Sequence, residues 1–167
     1  MNILERRFFL LSGFSLLLSS QVLADHKGLK GTGSRLSSEE VDTLLRLHNE
    51  ARAEVGVKAL TWSNKLARVA QKWAEHLAAR GTFEHSGSKY GENLAGSRSV
   101  EGAVGLWADE KALFKKGVGY RPETGHYTQM VWNKTKSVGC GKADGPRFTI
   151  WVCNYDPPGN FNNKDPY

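Results

Sequence analysis

Residues 137–155 read SVGCGKADGPRFTIWVCNY. Two short runs, SVGCGKA and RFTIWVCNY, flank the turn formers Asp144-Gly145-Pro146, and the second run is rich in β-branched and aromatic residues. The pattern predicts two strands joined by a turn. Upstream the period changes. Ser37-Ser38-Glu39-Glu40 opens a helix with a capping box, and Val41, Leu44, Leu45, His48, Arg52 and Val55 follow at helical spacing until Gly56. A second helix is expected from Asn64 to Arg80, with Leu66, Val69, Ala70, Trp73 and Leu77 as its apolar stripe and Gly81 as its cap. A third is expected from Ser99 to Phe114, with Val100, Ala103, Val104, Trp107 and Phe114 on one face. HSGSKYGENLAGS and GVGYRPETG read as irregular connections, and HYTQMVW is too short for its period to decide. Three helices followed by a mostly β region predict an α+β layered domain.

The chain has 167 residues, a length suited to one domain. Its start differs from the rest. Arg6-Arg7 precede FFLLSGFSLLL, and small and polar residues lead to Val22-Leu23-Ala24. This reads as a signal peptide over residues 1–24, cut after Ala24, with an apolar run too short to span a bilayer. ERRFFLLSG is also similar to a twin-arginine export signal, although Glu5 stands where Ser or Thr is usual. Residues 25–36, rich in Gly and Lys, read as a flexible lead-in, and residues 37–167 as the domain. Export places the protein outside the cytoplasm, in an extracellular or periplasmic space.

The whole chain carries a net charge of +6. The leader would take Arg6, Arg7 and Glu5 with it, leaving +5. No dense Lys/Arg run accompanies this charge, which argues against a nucleic-acid partner. Cys140 and Cys153 are the only cysteines. In an oxidising compartment they most simply pair with each other, and two buried thiols are the alternative.

Five histidines are present. His26 falls in the lead-in, and His48 and His76 fall on or near helical stripes, where a satisfied core histidine is the simplest reading. His85 and His126 sit in Gly- and Ser-containing segments of weak regular structure, where binding groups concentrate. Glu110 lies three residues after Trp107 and four before Phe114, on their apolar face. A carboxylate there needs a cationic or protic partner. Glu92 shares a loop with His85. Two histidines and two glutamates suit a metal or acid–base cluster, but the positions 85, 92, 110 and 126 match no local signature such as H-E-x-x-H. Spacing alone leaves open whether the four form one site.

From Leu47 to Tyr167 the chain resembles the CAP superfamily of cysteine-rich secretory, antigen-five and pathogenesis-related class-one proteins. LHNEARAEVGVKALTWSNKLARVAQKWA is similar to the family's first two helices, and FEHSG, YGENLA and WADEK to segments carrying its first histidine and its two glutamates. GHYTQMVWNKT and CNYDPPGNF match two family signatures, with Trp151 as a departure ahead of the second. The resemblance implies an α-β-α sandwich with a small antiparallel sheet between helix layers, a helical start for HYTQMVW, and a bridge between Cys140 and Cys153. It places the family's cleft tetrad on His85, Glu92, Glu110 and His126. The histidines would hold zinc or another divalent metal weakly, with the glutamates orienting them or a bound water. The C-terminus looks most like the pathogenesis-related class, in which a peptide starting at the equivalent of Pro157 can be released; a closing terminal loop is the simpler reading of so much Pro, Gly and Asn. The absence of four cysteines usual in plant relatives points to a bacterial source.

The resemblance implies a binding module for a lipid or sterol-type ligand. The alternatives are a secreted protein that engages a host-surface or envelope partner, and a metal-assisted hydrolase or protease using Glu92 or Glu110. No nucleophile elbow and no third strong zinc ligand accompany the last reading.

Overall fold

In the computed structural model of the chain, residues 31–167 are described. The expected signal peptide, its cleavage point and residues 25–30 of the lead-in lie outside them. The elements run α1 (Ser38–Glu54), β1 (Thr61–Trp62), α2 (Asn64–Arg80), β2 (Gly91–Ser97), α3 (Val100–Ala108), a 3₁₀ segment (Asp109–Leu113), a 3₁₀ turn (Pro122–Thr124), α4 (Gly125–Met130), β3 (Ser137–Asp144) and β4 (Thr149–Asp156). The strands form one sheet in the order β1-β3-β4-β2. β3 and β4 are the antiparallel hairpin expected from residues 137–155, β2 adds antiparallel to β4, and the two-residue β1 pairs parallel to β3.

Helices cover both faces, so the fold is the layered α+β sandwich. On one face α2 contributes Ala70, Ala74 and Leu77 against Leu94, Ala143, Ile150 and Val152. The close approach is made possible by two glycines of β3. A Cβ on Gly139 would lie 2.3 Å from the Ala67 nitrogen, and one on Gly141 would lie 2.4 Å from the Gln71 backbone. On the other face α1, α3 and α4 pack Leu44, Val104, Trp107 and Met130 against Cys140, Trp151, Cys153 and Tyr155. Cys140 and Cys153 stand opposite each other in the β3–β4 register and form a disulfide.

The helix termini follow local sequence chemistry. Ser37 Oγ accepts from the Glu40 N–H at 3.1 Å while Glu40 Oε2 accepts from the Ser37 N–H at 2.8 Å. α2 ends at Gly81, in the left-handed region at φ 65°. The third helix is shorter than expected. It gives way after Ala108 to the 3₁₀ segment, and Phe114 is already extended. HYTQMVW begins as a helix, as the resemblance implies.

Two readings need correction. GENLAGS, read as part of an irregular loop, is strand β2. Its glycines mark close approach rather than a turn. A Cβ at Gly91 would meet the Gln129 side chain at 2.1 Å, and one at Gly96 would meet the Phe148 ring at 2.4 Å. Residues 31–36 are not a loose lead-in. Thr32, Ser34 and Leu36 are buried, Trp62 Nε1 donates to the Thr32 carbonyl, and the Arg35 N–H donates to Gln71 Oε1.

Arg52 sits on the α1 stripe yet is fully buried. Its Nε donates to the Lys58 carbonyl at 2.7 Å, one terminal nitrogen donates to both the Met130 and Trp132 carbonyls at 2.9 Å, and the other donates to the Thr135 carbonyl at 3.0 Å. Burial lowers its pKa to about 10, so it stays charged at neutral pH. Arg52→Met leaves four carbonyls without their donor and should cost about 3 kcal/mol or more in a urea titration; a loss under about 1 kcal/mol would show that the pivot is dispensable. Reducing the Cys140–Cys153 bond, which closes a short loop, should cost about 3 kcal/mol in the same assay.

Candidate metal-binding histidine pairs

The structure sorts the four candidate residues into two histidine–glutamate pairs. His85 lies in the segment leading into β2, and Glu92 lies on β2. Glu92 Oε1 meets His85 Nδ1 at 2.8 Å and accepts from the Ser86 N–H at 2.9 Å. Glu92 Oε2 accepts from Ser86 Oγ at 2.6 Å and from Asn154 Nδ2 at 3.3 Å. The Glu92 side chain is 6% exposed and the His85 ring 64% exposed. The carboxylate is therefore anchored and the imidazole is presented to solvent. Burial alone would raise the Glu92 pKa, but the hydrogen bonds from His85, Ser86 and Asn154 together outweigh it and hold the carboxyl below its usual value. The same Glu92 bond raises the His85 pKa against the opposing effect of burial.

The second pair comes from the opposite helix layer. Glu110 lies in the 3₁₀ segment that ends the third helix. Its Oε1 meets His126 Nδ1 at 2.6 Å, and its Oε2 accepts from the backbone N–H groups of His126 and Tyr127 at 2.8 and 3.1 Å. These N–H groups belong to the first turn of α4, where an anion satisfies donors that lack intrahelical partners. The protic partners that an apolar-face carboxylate requires are thus supplied by α4. The His126 ring also lies nearly parallel to the Trp107 ring, at 6.5 Å between centroids.

β2 is the hinge between the pairs. Glu92 faces the α2 side with Asn154, while its neighbour Asn93 donates to the His126 carbonyl at 3.0 Å. No hydrogen bond or ion pair joins the two pairs directly among the described residues. Asn93 and Asn154 are positioning residues that sequence reasoning missed. Asn93 lies in the YGENLA segment, but an asparagine in a Gly-rich stretch gave no signal separate from turn formation.

The donor set can be tested against a divalent metal. Each imidazole turns Nδ1 to a carboxylate, and neither Nε2 has a partner among the described residues. That is how a metal-ligating histidine is usually held. Among the described residues no group of three or more His, Cys, Asp or Glu is arranged to hold a metal. Two imidazoles fall short of the three or four protein ligands of a strong zinc site. The chemistry of each pair, one imidazole oriented by a carboxylate, suits a single weak metal ligand.

His48 stays in the core. Its Nδ1 meets the Leu44 carbonyl at 2.8 Å, so Nδ1 carries the proton, and Nε2 accepts from the Tyr155 hydroxyl at 2.8 Å. His76 stacks on Trp73 at 4.7 Å.

The model of the cysteine-rich secretory protein family matches residues 45–155. The chain belongs to the CAP family. Pathogenesis-related protein 1 of Arabidopsis thaliana is 44% identical over 132 residues, covering 74% of this chain and 80% of the relative. Secreted protein RBT4 of Candida albicans is 37% identical over 156 residues, covering 89% of this chain and 41% of the relative. A solved structure of NaASP2 with Zn2+ superposes with a TM-score of 0.70 at 25% identity, over 79% of this chain and 86% of that one. This CAP chain is of the pathogenesis-related class. These sequence relatives are plant and fungal, and they do not bear out the expected bacterial source.

The neutral His48 of this CAP domain makes a pH prediction. Burial, the largest effect, lowers its pKa to about 4, with the Leu44 carbonyl opposing and Arg52 adding to the shift. An unfolded chain therefore binds a proton near pH 6.5 that the folded chain refuses until about pH 4. Stability is full above that window and is lost as pH falls through it, by about 1.4 kcal/mol per pH unit at most. Urea titrations across the window should show this slope shrinking in His48→Gln. An unchanged slope would mean that His48 does not carry it.

Proposed function

We propose that this CAP protein is an exported ligand-binding module whose His85 and His126 hold a divalent metal ion, zinc being the natural candidate. The observation that carries the reading is the paired arrangement: each imidazole has its Nδ1 on a carboxylate and its Nε2 without a partner among the described residues. The solved NaASP2 neighbour with Zn2+ supports zinc as the ion to test. An extracellular or periplasmic site of action is supported by the secreted fungal relative and by the leader-like residues 1–24. Among the described residues no helix is long and apolar enough to cross a membrane.

A bound divalent ion would supply a positive charge and open coordination positions at the exposed imidazoles. Glu92 and Glu110 orient the rings. Both carboxylates spend their oxygens on N–H and O–H donors, so neither is a free general base for hydrolysis. This favours binding over the hydrolase reading. The organic ligand we assign is apolar, of lipid or sterol type. An apolar recess of about 290 Å³ beside the exposed rings of Phe83 and Phe148 supports that assignment. A surface partner, of a host cell or an envelope, is the other reading.

Calorimetry with zinc tests the metal site. His126→Ala should lose most of the affinity, since one imidazole holds the ion poorly, while His48→Ala should keep it and lose stability instead. Equal affinity for wild type and His126→Ala would remove His126 from the site.

A further inference from the structure

A groove on the described surface lies away from the histidine pairs. It has a volume of about 1080 Å³ and runs between the loop at 55–61 and the turn at 133–136, with Pro157 and Tyr167 completing its wall. Lys58, Lys116, Lys134 and Lys136 line it, and all four are exposed. The ion pairs of the described residues lie elsewhere, and none of these four ammonium groups is within 4.0 Å of a carboxylate. Glu54, just before the groove, is occupied by Lys111 at 2.6 Å.

A fifth positive charge stands behind the same walls. Arg52 holds the carbonyls of Lys58 and Thr135, one on each bank, and has no carboxylate partner among the described residues. A buried guanidinium held by carbonyls rather than by a carboxylate, behind four lysines that form no ion pair among the described residues, gives the groove a positively charged lining. It also fixes the spacing of the banks, so the site does not have to be ordered when a ligand arrives.

The shape and chemistry narrow the ligand. The volume is far larger than a single simple anion needs. Lysines act as dispersed point charges and lack the fork that arginine offers to one phosphate. Its aromatic ring, Tyr167, is already packed against Phe114 and under the Lys116 ammonium, which leaves no platform on which successive nucleic-acid bases could stack. Between the lysines lie Val55, Val57 and Ala59, aliphatic surface suited to the C–H faces of sugar rings. We propose that this groove binds an acidic polysaccharide, a chain of sugars bearing carboxylate or sulfate groups.

Calorimetry of the exported protein tests this with two probes, a polygalacturonate oligosaccharide and a sulfated dextran oligosaccharide of the same length, at low and moderate salt. At least one should bind, more weakly at higher salt, and the one that binds identifies the acidic group. Lys58→Gln/Lys134→Gln/Lys136→Gln should weaken binding at least tenfold and flatten its salt dependence, with an unchanged melting temperature. Lys65→Gln/Arg68→Gln/Lys72→Gln removes the same charge from the outer face of α2 and should change affinity less than twofold. His126→Ala should bind as wild type does, which separates this site from the metal site. Equal losses in the two triple variants would reduce the effect to net charge and overturn the groove. So would loss of binding in His126→Ala, or failure of both oligosaccharides to bind at low salt. Tighter binding to phosphatidylserine vesicles or to a single-stranded oligonucleotide would assign the groove to another class of partner.

Discussion

The Arg52 guanidinium is the constraint on which much of this molecule turns. A charged group without solvent is tolerated only when its donors are satisfied, and here they are satisfied by backbone carbonyls of three separate segments: the loop after α1, the end of α4, and the approach to β3. Apart from Met130, the last residue of α4, the points of contact lie outside helices and strands. The guanidinium gives them a common anchor, and through the end of α4 it bears on the helix that carries His126. The sheet and the layers would survive as a topology without it, but the loops at this end would lose their mutual register.

The candidate site is built on a different logic. Two imidazoles are each fixed by a carboxylate that is itself fixed by backbone N–H groups, so orientation passes from rigid elements to exposed rings in two steps. One glutamate belongs to the edge strand and the other to a tightened helix end, and they approach from opposite sides of the sheet. Asn93 ties β2 to the His126 carbonyl, and Asn154 ties β4 to the Glu92 carboxylate. Such an arrangement holds each ring firmly by its Nδ1 and, among the described residues, leaves its Nε2 open.

Much of this was legible in the sequence because the signals were local. Ser37 and Glu40 cap one another within four residues, Gly81 closes α2, and the runs around Asp144-Gly145-Pro146 are a hairpin by composition alone. Glu110 on an apolar face announced an unmet partner. β2 was illegible because its glycines are selected by what lies against them, the Gln129 side chain and the Phe148 ring, and both are distant in sequence. The packing of Thr32, Ser34 and Leu36 was hidden for the same reason: Lys- and Gly-rich neighbours mask residues whose partners, Trp62 and Gln71, come much later. The third helix was read too long because apolar periodicity continues through the 3₁₀ segment without marking the change in hydrogen bonding.

The alternation Gly139-Cys140-Gly141 has a consequence for how the sheet can err. Successive residues of a strand point to opposite faces, so β3 is bare toward α2 and covalently stapled toward α1. A slip of one residue against β4 would turn a cysteine into the helix where only hydrogen fits and turn a glycine toward the position of the bond. Neither error could be absorbed by repacking, because one is a backbone collision and the other a missing covalent partner. The strand therefore admits one alignment on two independent grounds, and the edge strand and the helix layers inherit that alignment from it.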